Sequence, residues 1–471
     1  MKNKANNTTP AIVDTITNSK KRTRNASQSK PKPEPEEFPI GGDIEDFQFR
    51  EDEVADIRSS LLKWYDVNRR DLPWRRINEE DATDNDDDDE IDRKAYAVWV
   101  SEIMLQQTRV QTVISYFNRW MEKWPTVHHL AQASIEEVNE MWAGLGYYRR
   151  ARFLLEGAKM VVEEGGKFPR SASDLLKVKG IGEYTAGAIA SIAFKEAVPV
   201  VDGNVIRVIA RLKTISANPK EKATIKNIWR LAGQLVDSHR PGDFNQAVME
   251  LGATLCTPSS PNCSSCPVST QCSALLKSKH DQSALVTDYP TKVEKVKQRL
   301  DYSAVTIVEI LESEQPKVNK SDWGSKFLLV KRPEEGLLAG LWEFPSVSLD
   351  VKADLITRRR AVDDYLKSSF GLKLHRPSDI VSRDEVGEYV HIFTHIRLRM
   401  YIELLVLRSQ VETDFGYCLR TDLHRKKDKG LVSFKYVDTK TLATMGLSTG
   451  VRKAYNMVQK FRQNRSSLVS R

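Results

Sequence analysis

The chain has no run of eighteen or more apolar residues, so no segment is long enough to cross a bilayer as an apolar helix. Residues 1–30 are polar and basic and lack the apolar stretch of a secretory leader; a soluble intracellular protein with no membrane partner is expected. Cysteine is scarce. Four of the five fall at 256, 263, 266 and 272 and the fifth at 418, which argues against a distributed disulfide framework and for a metal site. Basic residues are missing altogether from 79–92 (EEDATDNDDDDEID), where ten of fourteen residues are acidic. The chain as a whole carries +8, so the remainder carries +18, a balance that calls for a polyanionic partner such as nucleic acid.

At 471 residues, two folded domains with tails are expected. Residues 1–45 are rich in Lys, Asn, Ser, Pro and Glu and too poor in large apolar groups to offset the entropy of ordering, so they read as a disordered basic tail. Within it Lys20, Lys21, Arg22 and Arg24 read equally as a nuclear import signal or as solvated charges. Short amphipathic segments punctuated by Gly and Pro make 50–275 an all-α domain, interrupted by the acidic run 79–92, which reads as a solvated loop. Residues 276–300 are polar and suit an interdomain connector. The periodicity then changes. SAVTIVEIL (303–311), KFLLVKRP (326–333) and the alternating stretch 389–407 read as strands, with a helix near 353–370, so 301–460 is α+β and 461–471 a tail.

Three patterns carry chemistry. Cys256-x6-Cys263-x2-Cys266-x5-Cys272 can gather four soft thiolates on one centre, zinc or an iron–sulfur cluster, with Pro258, Pro261 and Pro267 favouring an irregular loop. In the stretch Val178 to Ile189, Gly180 and Gly182 form a Gly-x-Gly turn between two helices, where backbone N–H groups can approach a phosphate. Pro199 to Val205 follows, and Asp202 in it would cap a helix beginning near Asn204. In Trp99 to Thr108, the residues Tyr96, Trp99, Val100 and Ile103 share one helical face while Glu102 lies off it, so spacing alone makes Glu102 an ordinary exposed carboxylate. Gln107 would fall on the apolar face of an unbroken helix, so the helix should end near it.

From about 54 to 275 the chain resembles the MutY adenine glycosylases of the helix-hairpin-helix superfamily. The markers are Leu72-Pro73-Trp74-Arg75, Ser101-Glu102 with Met104 to Thr108, Gly144-Leu145-Gly146-Tyr147-Tyr148, Val201 to Asn204, Phe244 to Ala247 with Leu251-Gly252-Ala253, and the four cysteines. The resemblance implies a [4Fe-4S] cluster on Cys256, Cys263, Cys266 and Cys272. It also implies that Glu102 protonates adenine N7, that Asp202 stabilises the sugar cation, and that Asn204 and Tyr184 line the pocket. Gln107 and Tyr147 would enter the duplex around the lesion, and Arg75 would help hold the oxidised-guanine strand. The chemistry suits two carboxylates with separate roles, because adenine leaves only when protonated and the sugar becomes oxocarbenium-like. Endonuclease III-like lyases carry a lysine nucleophile where this chain has Tyr184, so the resemblance implies a monofunctional enzyme.

From about 300 to 460 the chain resembles the Nudix-like domain of MutY through Gly336 to Pro345. The helix that carries magnesium-binding glutamates in Nudix hydrolases instead reads Arg358 to Tyr365 with no glutamate, so hydrolysis is not expected. Phe393-Thr394-His395 resembles the loop that reads 8-oxoguanine; on periodicity alone it is three residues of a strand. The implied partner is double-stranded DNA with A:8-oxoguanine or A:G mispairs, bound by a monomer in the nucleus, with the mitochondrion as a second compartment. A repair or checkpoint clamp is expected to bind through the connector.

Overall fold

The computed structural model describes residues 47–76, 88–293, 297–311, 325–372, 374, 380–408 and 432–469. The basic tail with its 20–24 cluster, the acidic run as far as residue 87, and Cys418 lie outside them.

The first domain is helical: α1 (Glu51–Asn68), α2 (Pro73–Arg76), α3 (Asp88–Leu105), α4 (Val110–Lys123), α5 (Val127–Ala131), α6 (Ile135–Trp142), α7 (Arg149–Glu163), α8 (Ala172–Leu175), α9 (Glu183–Ala193), α10 (Gly203–Leu212), α11 (Lys222–Leu235), α12 (Pro241–Thr254) and α13 (Ser273–His280). It has two cores. One gathers α2 to α9 around Trp99, Trp120, Trp142 and Phe168; in the other, α1 packs with α10, α11 and α12 through Ile57, Leu61, Val208, Leu231 and Leu251. The second core starts before residue 50, since Phe49 is buried in it and its N–H donates to Gln234.

Helix α3 crosses the first core with every residue from Ala95 to Met104 buried, packed by α4, α7 and α9. This overturns the reading of Glu102 as exposed. A helical wheel assumes one apolar face, whereas here the polar side of the helix is enclosed as well. The last residues of the acidic run, 88–92, are not loop but the first turn of α3. Asp88 there meets Lys167 at 2.7 Å and Arg170 at 3.4 Å, and acids suit a helix start.

The second domain is built on a mixed sheet of seven strands: β1 (Arg299–Leu311), β2 (Ser325–Lys331), β3 (Trp342–Glu343), β4 (Ser346–Leu349), β5 (Ile380–Ile392), β6 (Ile396–Arg408) and β7 (Phe434–Asp438). Among the described residues the path is β3-β2-β1-β6-β5, parallel only between β1 and β6 (Ala304 opposite Tyr401), with β4 on β1 and β7 on β2. Helix α14 (Leu355–Phe370) covers one face; α15 (Thr439–Thr444) and α16 (Thr449–Val469) cover the other.

Two sequence readings need correction here. The alternating stretch 389–407 is an antiparallel hairpin, β5 and β6, whose reversal is Phe393-Thr394-His395 itself; Phe393 N–H donates to Ile396 O at 2.8 Å. Residues 461–469 are not a tail but continue α16, where Arg462 reaches Glu309 and Arg465 reaches Asp384 at 3.1 Å. The connector's residues up to 293 have partners in the helical domain: α13 runs into it, Tyr289 O accepts from Arg211 at 3.1 Å, and Thr291 hydroxyl donates to Ser216 O.

The domains share packing. Leu341, on the loop before β3, is 3% exposed within the first helical core, and Leu338 packs beside it. Tyr148 hydroxyl donates to Leu447 O at 3.3 Å and Arg152 pairs with Glu334 at 3.2 Å.

Candidate active site

Glu102 sits near the end of α3, 7% exposed, and its Oε2 accepts from the hydroxyl of Tyr184 on α9. Burial pushes its pKa up to about 7; Tyr184 and Arg75 oppose that, and the charge of Asp202 adds to it. A carboxyl group poised there is suited to donating a proton at neutral pH. Asp202 is the N-cap of α10: Oδ1 accepts from Asn204 N–H and Val205 N–H, both at 2.8 Å, and Oδ2 from Asn204 Nδ2 at 2.7 Å. Burial raises its pKa, while these hydrogen bonds and the charge of Arg207 favour the ionised form. The capping role read from sequence and a role in chemistry therefore coincide in one side chain. Tyr184, held on Glu102, is itself pushed well above the ordinary tyrosine value by burial and that neighbouring charge.

The hairpin runs from α8 to α9. Gly180 has φ +85°, and a Cβ there would come within 2.6 Å of Phe153 Cβ; Gly182 caps α9 with open space where a side chain would be. Gln107 follows α3 at φ +55°, exposed, as the sequence required of a helix ending near it. Tyr147 lies at φ +47° and is 47% exposed, its hydroxyl paired with that of Thr394 on the β5–β6 turn. Phe393 is half-buried with its carbonyl taken by Gln298 Nε2 at 2.8 Å, and Thr394 and His395 are exposed.

Arg75, expected on the oxidised-guanine strand, donates from Nε to Gln246 at 3.1 Å, from Nη1 to Arg70 O at 2.9 Å and from Nη2 to Glu250 at 3.0 Å, so each nitrogen has a partner within the protein. Glu250, 1% exposed, also pairs with Arg70 at 2.6 Å; burial would raise its pKa, but the two guanidinium groups hold it below the ordinary value. Sequence reading missed Glu250 and also Arg207, which donates to Asn204 Oδ1, Gly252 O and Cys256 O, each at 2.7 Å. Gly252 permits this approach, since a Cβ there would lie 2.6 Å from Asn204 Cβ. No local periodicity signals such contacts, which join distant segments. A groove of about 560 Å³ between α9 and α11, lined by Leu176, Val198, Pro199 and Trp229, includes none of the catalytic candidates.

The four cysteines lie together beside the second core, all partly exposed. Burial pushes Cys266 up to about 12 and Cys272 up to about 11, and Cys263 upward, with Cys256 adding to each. Buried Arg211 donates to Cys256 Sγ at 3.2 Å and to Thr257 O at 2.8 Å. Four neighbouring soft donors, of which Cys263, Cys266 and Cys272 resist ionising on their own, suit a centre that supplies positive charge. Among the described residues no three metal-ligating side chains converge as for a single ion.

In the second domain, the carboxylates around α14 are held by arginine. Glu403 lies between Arg359 at 2.5 Å and Arg383 at 3.0 Å, Asp363 pairs with Arg383 at 2.8 Å, and Glu385 with Arg358 at 2.8 Å.

Comparison with known proteins accounts for both halves. Residues 100–234 match the HhH-GPD superfamily of base excision DNA repair proteins and 320–457 match the NUDIX domain. An adenine DNA glycosylase of Arabidopsis thaliana is 58% identical over 435 residues, covering 88% of this chain and 66% of its own, so the chain spans just under two thirds of that relative. The Homo sapiens adenine DNA glycosylase is 46% identical, covering 76% and 68%, and that of Schizosaccharomyces pombe is 36% identical, covering 79% and 86%. Identity of this order, running across the helical domain and into the sheet domain, makes the chain a member of the adenine DNA glycosylase family.

Proposed function

We propose that the chain removes adenine mispaired with 8-oxoguanine or guanine in duplex DNA by hydrolysing the N-glycosidic bond, as a monofunctional enzyme of base excision repair. The observation that carries this is a buried Glu102 with its pKa near 7, coupled to a second carboxylate, Asp202, that accepts three hydrogen bonds. Glu102 delivers its proton to N7 of the extruded adenine, which lets the base leave; Tyr184 holds the carboxyl in place. Asp202, braced by Asn204, supplies a fixed negative charge to the oxocarbenium-like sugar until water adds. Extrusion costs a few kcal/mol; Gln107 and Tyr147 offset it by entering the space vacated. Gly180 and Gly182 bring the start of α9 to a backbone phosphate. Tyr184 occupies the position a lyase needs for its lysine, and its hydroxyl is committed to Glu102.

Cys256, Cys263, Cys266 and Cys272 would hold a [4Fe-4S] cluster beside α10, where Arg211 donates to Cys256 Sγ. Phe393, Thr394 and His395 read the oxidised guanine from an exposed turn, and the arginine-paired carboxylates beside α14 support recognition rather than magnesium-dependent hydrolysis. A nuclear site of action, with a mitochondrial form as the alternative, and a clamp partner at 276–300 belong to the same reading. The test is one assay on duplexes containing A:8-oxoguanine, A:G, A:T and oxidised pyrimidine pairs. Excision of adenine from the first two is expected; preference for the pyrimidine lesion, or abundant borohydride trapping, would refute it.

A further inference from the structure

Two turns carry the side chains that enter the duplex in this reading, and both hold a non-glycine residue in the left-handed region, Gln107 at φ +55° and Tyr147 at φ +47°. Such backbone is unfavourable for an L-residue and persists only where the surroundings impose it. One side chain reaches both turns. Arg150, in the first turn of α7, donates from Nη1 to Ile103 O at 2.7 Å, Met104 O at 3.2 Å and Gln106 O at 2.6 Å. From Nη2 it reaches Thr108 Oγ1 at 3.4 Å, Leu145 O at 3.4 Å and Gly146 O at 3.3 Å. Its guanidinium lies 5.3 Å from the centre of the Trp142 ring and 5.5 Å from that of Tyr147. Helix α3 has no basic residue in its own last turn, so the carbonyls at its end, which lack intrahelical partners, are capped by an arginine from another helix.

We propose that Arg150 is a positioning residue for base extrusion. One planar guanidinium spans the turn after α3 and the turn before α7, fixing Gln107 and Tyr147 at a set separation so that both enter the duplex together. The inference rests on the reading of those two residues as the inserted pair. A lysine could not do the same work, because a single ammonium cannot reach both turns at once.

The test uses the full chain in single-turnover excision with two substrates: adenine in its mispair, and adenine opposite an abasic site, where no pairing has to be broken. Loss of charge-assisted hydrogen bonds to backbone makes Arg150→Met roughly 10- to 100-fold slower on the mispair, and the loss on the abasic duplex is much smaller. Arg150→Lys behaves like Arg150→Met, and serves in its place if that variant does not fold. With 2-aminopurine as the target, the fluorescence rise on extrusion is diminished in both. In a Gln107→Ala/Tyr147→Ala background, Arg150→Met adds no further loss. Equal losses on both duplexes, rescue by lysine, or additive effects would each overturn the proposal. Undiminished mispair excision by Gln107→Ala/Tyr147→Ala would instead remove the inserted-pair reading beneath it.

Discussion

Replacing Glu102 with glutamine separates what the carboxyl group does for the reaction from what it costs the fold. Its pKa is near 7 in the folded chain against an ordinary 4.5, because burial penalises the charged form. Between those values the folded state binds the proton more tightly than the unfolded state, so stability falls as pH rises through that window and the full penalty is present above about pH 7. At about 1.36 kcal/mol per pH unit, the difference amounts to about 3 kcal/mol. Glutamine keeps the shape and can accept from Tyr184 but has no charge to bury. Glu102→Gln is therefore expected to lose excision while retaining duplex binding, and to unfold at a higher urea concentration than the parent at pH 8. The difference between the two midpoints should shrink toward pH 5, where the folded parent is already protonated. Tryptophan fluorescence follows both transitions. A glutamine variant no more stable than the parent at pH 8, or a difference independent of pH, would refute the argument.

Asp202→Asn keeps a competent helix cap but removes the charge, so single-turnover excision should fall roughly 10²- to 10³-fold with duplex binding preserved; an unchanged rate would contradict the assignment. Protein prepared anaerobically should contain iron and sulfide and lose both, with soluble protein, in Cys266→Ser; zinc without iron would exclude the cluster. Phe393→Ala with His395→Ala should cost A:8-oxoguanine processing more than A:G processing, by about 1–3 kcal/mol for one lost discriminating contact; equal losses would show that this turn does not discriminate. Leu341→Ala should lower the urea midpoint of the helical domain by the equivalent of about 2–5 kcal/mol although the residue belongs to the other domain, and an unchanged midpoint would place it outside that core.

What the sequence made legible is local. The change from helical to strand periodicity near residue 300, the end of α3 at Gln107, the cap at Asp202 and the turn at Gly180 all follow from a few neighbouring residues and recur in the structure. What it concealed depends on closure in three dimensions. The alternation at 389–407 continues through Phe393-Thr394-His395, which has no Gly, Asn or Pro to mark a reversal, so a hairpin reads as one strand. The polar segment 461–469 holds its helix partly through Arg462 on Glu309 and Arg465 on Asp384, partners distant in the chain. Arg150, Arg207 and Glu250 look like ordinary surface charges until the helices that surround them are assembled. Leu341 reads as part of a loop, yet fills space in the neighbouring core, so the helical domain is not the self-contained unit that its boundaries suggest.

The enclosure of α3 bears on how this gene can vary. From Ala95 to Met104 each position is buried, so a missense change at an apolar residue of that stretch disturbs packing. In a catalogue of inherited variants, substitutions at Val98 or Ile103 would cost activity much as a change at Glu102 would, though of the three only Glu102 is proposed to meet the substrate. Activity alone could not sort them. Abundance could: variants at Glu102 accumulate as stable, inactive protein, whereas those at its neighbours are depleted by cellular degradation. The same segment leaves little room for neutral drift, and a stabilised background would widen it for the packing positions while leaving the catalytic one as intolerant as before.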